Sequence, residues 1–124
     1  MRISMTVLVV EDEVLVQDLL EVALVEAGYE VRLLLSGAEA MSFLDDCSEC
    51  PRALVTDVNL GPAPNGWEIG RRARELNPAM PVVYMTGDSG DQWDTQGVPD
   101  SLMIEKPLAP AQVVAAVSSL LAAR

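Results

Sequence analysis

Short runs of Val, Leu, Ile and Ala alternate along this chain with longer stretches in which apolar residues recur every three to four positions. The runs predict strands near Met5–Val10, Glu30–Leu34, Arg52–Thr56, Pro81–Met85 and Leu102–Ile104. The stretches between them predict helices near Val14–Ala27, Gly37–Asp46, Trp67–Leu76 and Pro110–Ala122. A weaker helical stretch, Gly90–Gln96, completes five βα units in a row. Strands that are apolar throughout, and not only at every second residue, need cover on both faces. The alternation therefore predicts an α/β fold: a doubly wound, five-stranded parallel sheet between two layers of helices.

The predicted boundaries have local causes. In the first helix Val14, Leu15, Asp18, Leu19, Val22 and Leu24 form a stripe of period near 3.6, and Gly28 is placed to end it. Ser36-Gly37-Ala38-Glu39 has the spacing of a capping box. Asn77-Pro78 stops the third helix, and Pro110 suits a first helical turn, where its missing N–H is no loss. Gly87 to Gly97 carries glycines at 87, 90 and 97 and aspartates at 88, 91 and 94, so the fourth helix is expected to be short.

Composition narrows the function. A length of 124 residues suits a single domain, here expected to fill residues 1–124 with no output domain beside it; the start at Met1 favours a stand-alone protein, although a domain cut from a longer protein would read the same. A formal charge of -11 opposes direct binding to nucleic acid or to an anionic membrane. The first apolar run is broken by Glu11 and Asp12 before it reaches the length of a leader or a membrane span, so a soluble, cytoplasmic protein is expected. No histidine is present, which removes His-based triads, most catalytic zinc sites and any internal phosphohistidine. Cys47 and Cys50 form a single C-x-x-C pair among acids, a setting that disfavours the thiolate and reads as an ordinary loop.

The chemistry gathers at strand ends. Asp57 closes the apolar run Ala53-Leu54-Val55-Thr56, Glu11 and Asp12 follow Val7-Leu8-Val9-Val10, and the chain's only lysine, Lys106, follows Leu102-Met103-Ile104. A carboxylate at the end of a buried strand is costly unless solvated or paired. Open α/β sheets place their sites at this edge. Three carboxylates a few ångströms apart repel by about 4 kcal/mol per pair at an effective dielectric near 20, and a hard divalent cation, Mg²⁺ best of all, relieves that repulsion. Each residue alone also fits a plainer role: Asp57 as a turn cap, Thr86 as a strand-end hydroxyl, Lys106 as a solvated surface charge. Trp67 reads as a packing residue, and Trp93 is open between packing and partner contact.

Together, Val9-Val10-Glu11-Asp12-Glu13, Asp57, Thr86-Gly87 and Lys106-Pro107, in this order from Met5 to Leu121, resemble the receiver domain of two-component response regulators. The resemblance implies a flavodoxin-like, CheY-like three-layer sandwich of strand order 2-1-3-4-5. It implies that Asp57 accepts a phosphoryl group from the phosphohistidine of a histidine kinase or histidine phosphotransfer protein. Asp12 and Asp57 would be direct Mg²⁺ ligands, with the Asn59 backbone carbonyl beside them and Glu11 acting mainly through water. Lys106 and Thr86 would contact the phosphoryl oxygens. Asp88 and Asn59 would flank the path of hydrolytic water and set the lifetime of the phosphorylated state. The Lys106–Pro107 peptide is expected to be cis. Output would pass to a downstream protein target, and a weak homodimer is a further association of this kind.

Several positions depart from the receiver pattern. The loop from Asp57 to Gly66 is one residue longer and carries Gly61, Pro62 and Pro64. Met103 stands where receivers usually carry a switching Tyr or Phe. Pro81-Val82-Val83-Tyr84-Met85-Thr86-Gly87 partly resembles an α-proteobacterial subgroup with a Phe-Ala-Thr-Gly motif, so signalling is expected to run through the segment after Thr86. A pseudo-receiver that binds a partner without being phosphorylated is the alternative. A flavodoxin-type electron carrier is excluded because Glu11-Asp12-Glu13 is acidic where a flavin phosphate needs N–H donors.

Overall fold

The computed structural model describes residues 6–46 and 50–123. Five parallel strands, β1 (Thr6–Val10), β2 (Glu30–Leu34), β3 (Ala53–Asp57), β4 (Val82–Thr86) and β5 (Leu102–Glu105), form one sheet in the order β2-β1-β3-β4-β5. The helices between and after them are α1 (Val14–Glu26), α2 (Gly37–Asp46), α3 (Gly66–Leu76), α4 (Trp93–Gln96) and α5 (Pro110–Ala122). This is the doubly wound fold that the alternation predicts, in the flavodoxin-like strand order that the resemblance implies.

Strand residues feed two cores by turns, as the pleat requires. Leu8, Val10, Leu54, Val82 and Tyr84 point to one face and pack with Ala40 and Leu44 of α2 and Ile69 and Ala73 of α3. Val7, Val9, Val55, Val83 and Met85 point to the other and pack with Leu20 and Leu24 of α1 and Val113 and Val117 of α5. Every residue of β3 and β4 is buried, which is why these strands read as unbroken apolar runs.

Helix ends follow their local chemistry. Gly28 takes φ +100°, and the N–H groups of Gly28 and Tyr29 return to the carbonyls of Val25 and Leu24 at 3.0 and 3.1 Å, a Schellman end to α1. Ser36 caps α2 by accepting from the Glu39 N–H at 3.2 Å, but the Glu39 carboxylate reaches the Leu35 N–H at 2.9 Å and not that of Ser36, so the predicted box is skewed by one residue. An unforeseen and complete capping box opens α3, with Asn65 and Glu68 each accepting the other's backbone N–H.

The face of α1 corrects the sequence reading. The helix buries Gln17, Leu20 and Leu24, while Val14, Leu15, Leu19, Val22 and Val25 are exposed, Leu15 at 77%. α1 is apolar on almost every side, so periodicity alone could not choose which stripe faces the sheet. The weak fourth helix is short, as expected: a 3₁₀ turn at Gly90–Gln92 followed by the single turn of α4, with no residue of either buried. No helix among the described residues is long and apolar enough to cross a membrane.

Candidate functional site at the strand ends

Parallel pairing brings the carboxyl ends of the strands level. Val10 pairs with Thr56, Asp57 with Met85 and Thr86 with Glu105, so the residues at and just beyond these pairs emerge together. Backbone bonds carry the alignment one step further, with the N–H of Glu11 donating to Leu34, Val58 to Met85 and Lys106 to Thr86, at 3.1, 2.9 and 2.8 Å. On the α3 side Gly66 lets the helix begin against Asp57: a Cβ there would collide with the Asp57 carbonyl, and the Gly66 N–H donates to Val58 at 2.9 Å.

Glu11, Asp12 and Asp57 each present a carboxylate oxygen within 4.8 Å of the others. Glu11 is fully buried, Asp57 is nearly so, and Asp12 is exposed, so the cluster opens to solvent on the Asp12 side. Lys106 Nζ stands between the two buried acids, 3.0 Å from Glu11 Oε1 and 3.0 Å from Asp57 Oδ2. The remaining oxygens are held by backbone donors: Glu13 N–H on Glu11 Oε2 at 3.0 Å and Asn59 N–H on Asp57 Oδ1 at 3.2 Å.

Burial pushes the Glu11 carboxyl from its ordinary 4.5 to about 7, against the opposing pull of the Glu13 N–H and Lys106; the nearby Asp57 charge adds to the rise. Asp57 is raised for the same first reason, with Lys106 and the Asn59 N–H working against it and Asp12 adding to it. Burial lowers Lys106, but its bonds to both acids prevail and its pKa is raised. The acids gain less from the lysine than they lose to desolvation. The cluster's all-oxygen donor set, open to solvent at Asp12, suits a hard divalent ion such as Mg²⁺.

Thr86 and the segment after it form the far wall. The buried Thr86 accepts the Ser89 N–H on Oγ1 at 2.8 Å, and Asn59 Nδ2 donates across the site to Asp88 Oδ1 at 2.8 Å. The two residues expected to flank the water path are thus bonded to each other. Ser89 joins them, 3.5 Å from Asn59 Nδ2, a participant that sequence reading passed over.

Met103 is half-buried against the α2/α3-side core, and the Lys106–Pro107 bond is cis, as expected. Trp67 is a packing residue, its ring 4.6 Å from that of Tyr84. Trp93 is half-buried against the same core, its indole N–H on Ser101 Oγ at 3.0 Å. Cys50 is exposed; Cys47 lies outside the described residues.

The chain is similar to several known proteins. The transcriptional regulatory protein CreB of Escherichia coli is 32% identical over 119 residues, 94% of this chain and 50% of that protein. The response regulator MprA of Mycobacterium bovis is 30% identical over 120 residues, 95% of this chain and 51% of that protein. The chain thus spans about half the length of these curated relatives. A response regulator receiver protein from Sinorhizobium medicae superposes with a TM-score of 0.92 at 39% identity, covering 97% of this chain and 96% of that one. The receiver domain of a Pseudomonas aeruginosa sensor histidine kinase, with a magnesium ion coordinated in its active-site cleft, shares the fold at a TM-score of 0.78 and 20% identity, covering 96% of this chain and 98% of that one. The profile of the response regulator receiver domain matches residues 7–118, and the chain belongs to that family.

Proposed function

We propose that this chain is a phosphoacceptor of a two-component or phosphorelay system, in which Asp57 takes a phosphoryl group from a partner's phosphohistidine. The observation that carries this is the Lys106 ammonium set between two buried carboxylates beside a third, solvent-facing one. An Asp57 oxygen attacks phosphorus in line, the P–N bond breaks, and its electron pair returns to the imidazole of the donor. Little covalent chemistry is asked of the protein beyond placement and charge neutralisation. Lys106 leaves its bond to Asp57 Oδ2 to meet a phosphoryl oxygen, and Thr86 offers its hydroxyl to another. Asp12, Asp57 and the Asn59 carbonyl would hold Mg²⁺, with Glu11 behind them through water. The ion, when bound, neutralises charge on the phosphoryl oxygens. Asn59 and Asp88, bridged across the mouth, would govern the entry of water and so the lifetime of the acyl phosphate.

The donor would be a histidine kinase or histidine phosphotransfer protein docking on α1, whose exposed Leu15, Leu19 and Val22 rise beside the site. An apolar groove of ≈ 410 Å³ continues that face and is lined by Val16, Leu19, Pro107 and Leu108, with Glu13 and Lys106 also in its walls. Signalling would pass from the phosphorylated state to a downstream protein, in the cytoplasm.

Incubation with acetyl phosphate and Mg²⁺ followed by intact mass is the test. The wild-type chain should gain one phosphoryl group, and Asp57→Asn and omission of Mg²⁺ should each abolish the gain. Labelling that survives in Asp57→Asn refutes the assignment. A wild-type chain that stays unlabelled leaves a protein-binding module without phosphorylation as the better reading.

A further inference from the structure

The buried face of α1 contains one residue that apolar packing does not explain: Gln17, only 7% exposed, beside Leu20 and Leu24. A buried carboxamide is costly unless its polar atoms are paired. Its Nε2 donates to the Leu34 carbonyl at 3.1 Å and to the Glu11 carbonyl at 3.4 Å. Both neighbours are acceptors, which assigns the nitrogen and not the oxygen to this side. The Glu11 N–H donates to the same Leu34 carbonyl at 3.1 Å. Both backbone polar groups of Glu11 are therefore tied, directly or through Gln17, to the end of β2.

The position of this clasp matters. Register between β1 and β2 ends at Val10 and Leu34, and the Glu11 N–H bond to Leu34 is the last backbone tie of this ladder. Glu11 and Asp12 lie beyond the strand, before α1 begins at Val14. We propose that Gln17 is a positioning residue for this acidic turn, acting through the Glu11 backbone to hold Glu11 and Asp12 in the geometry that binds Mg²⁺. The inference rests on the phosphoacceptor reading above.

Gln17→Met tests it by keeping length and volume while removing the donor. Mg²⁺ affinity, followed by calorimetry or Trp67 fluorescence, should weaken by about tenfold, the scale seen when a residue that orients a metal ligand is lost. Gln17→Asn, too short to reach both carbonyls, should reproduce the loss. In metal-free protein the Glu11 amide should exchange faster in both variants. Leu20→Ala, which loosens the same helix without touching the turn, should lower thermal stability and leave Mg²⁺ affinity unchanged. Wild-type affinity in Gln17→Met and Gln17→Asn, or an equal loss in Leu20→Ala, overturns the proposal while leaving the phosphoacceptor reading in place. A wild-type chain that binds no Mg²⁺ overturns both.

Discussion

At the scale of single residues, Glu11 sets how the metal-free protein answers to pH. Its carboxyl has an ordinary pKa of 4.5 and is raised to about 7 in the fold, chiefly by burial. Between these values the folded chain keeps a proton that the unfolded chain has released. Stability therefore falls as pH rises through this window, the reverse of an acid whose pKa is lowered by a salt bridge. Asp57 is shifted in the same direction and adds to the trend. Glu11→Gln should flatten the decline, measured as the difference in unfolding free energy from urea melts at the two ends of the window. A decline as steep in Glu11→Gln as in the wild type would show that Glu11 is not its source. Mg²⁺ competes with these protons, so its affinity should rise with pH over the same interval. Little of this residue-level balance was legible in the sequence. The clustering of Glu11, Asp12, Asp57 and Lys106 could be read from strand ends, but nothing in the spacing shows that Glu11 is fully buried and Asp12 exposed. That difference depends on which way the turn between β1 and α1 folds, and one of the bonds on that turn comes from Gln17, six residues away.

Among the elements, the segment between β4 and β5 has a thin apolar hold on the rest: neither its 3₁₀ turn nor α4 buries a residue fully, and half-buried Trp93 and buried Val98 are its contacts with the core. Hydrogen bonds at its two ends add to that hold. At the start, Thr86 Oγ1 accepts the Ser89 N–H. At the end, Arg71 Nη1 donates to the Gln96 carbonyl at 3.1 Å and the Val98 N–H donates to the Tyr84 hydroxyl at 3.2 Å. If Thr86 turns its hydroxyl toward a phosphoryl oxygen on Asp57, the first tether is disturbed while the second remains. Such a segment opens at low free energy and can shift between states. Hydrogen exchange with beryllium fluoride and Mg²⁺ should change between Gly87 and Gly97, beginning at Ser89, and Thr86→Ala should remove the change. Protection changes confined to other helices would rule the mechanism out. The weakness of this helix was legible because glycine and aspartate declare it, and Met103 in place of an aromatic pointed the same way. The box that opens α3 was legible too, as Asn65-Gly66-Trp67-Glu68, yet went unread because the Pro/Gly loop before it drew the predicted start to Trp67.

The whole molecule carries a formal charge of -11, and among the described residues a long apolar ridge is left uncovered, Val14, Leu15, Leu19, Val22 and Val25 along α1. Isolated exposed leucines need no explanation, but several along one helix beside an apolar groove mark an interaction surface. The stripe read from the sequence mixes four residues of this ridge, Val14, Leu15, Leu19 and Val22, with the buried Leu24, because a helix apolar on both sides offers two stripes and no rule for choosing. Gln17 was the missing clue, since its carboxamide has partners only on the sheet side. Every charged side chain on or just before the ridge is acidic: Asp12, Glu13, Asp18, Glu21 and Glu26. A donor that fits would present an apolar helical face edged by Lys or Arg, with association that slows as salt is added. Repulsion between two such acidic rims disfavours a second copy of this chain as the occupant. Leu15→Ala combined with Leu19→Ala should slow transfer from a histidine-phosphorylated donor protein by about tenfold or more, the scale of losing central apolar anchors. Labelling by acetyl phosphate should remain at the wild-type rate, because neither leucine belongs to the acid cluster. Both residues already face solvent, so the melting temperature should hold. Equal slowing with the protein donor and with acetyl phosphate would place the defect in the site itself, and undiminished transfer from the protein donor would move its docking surface away from α1.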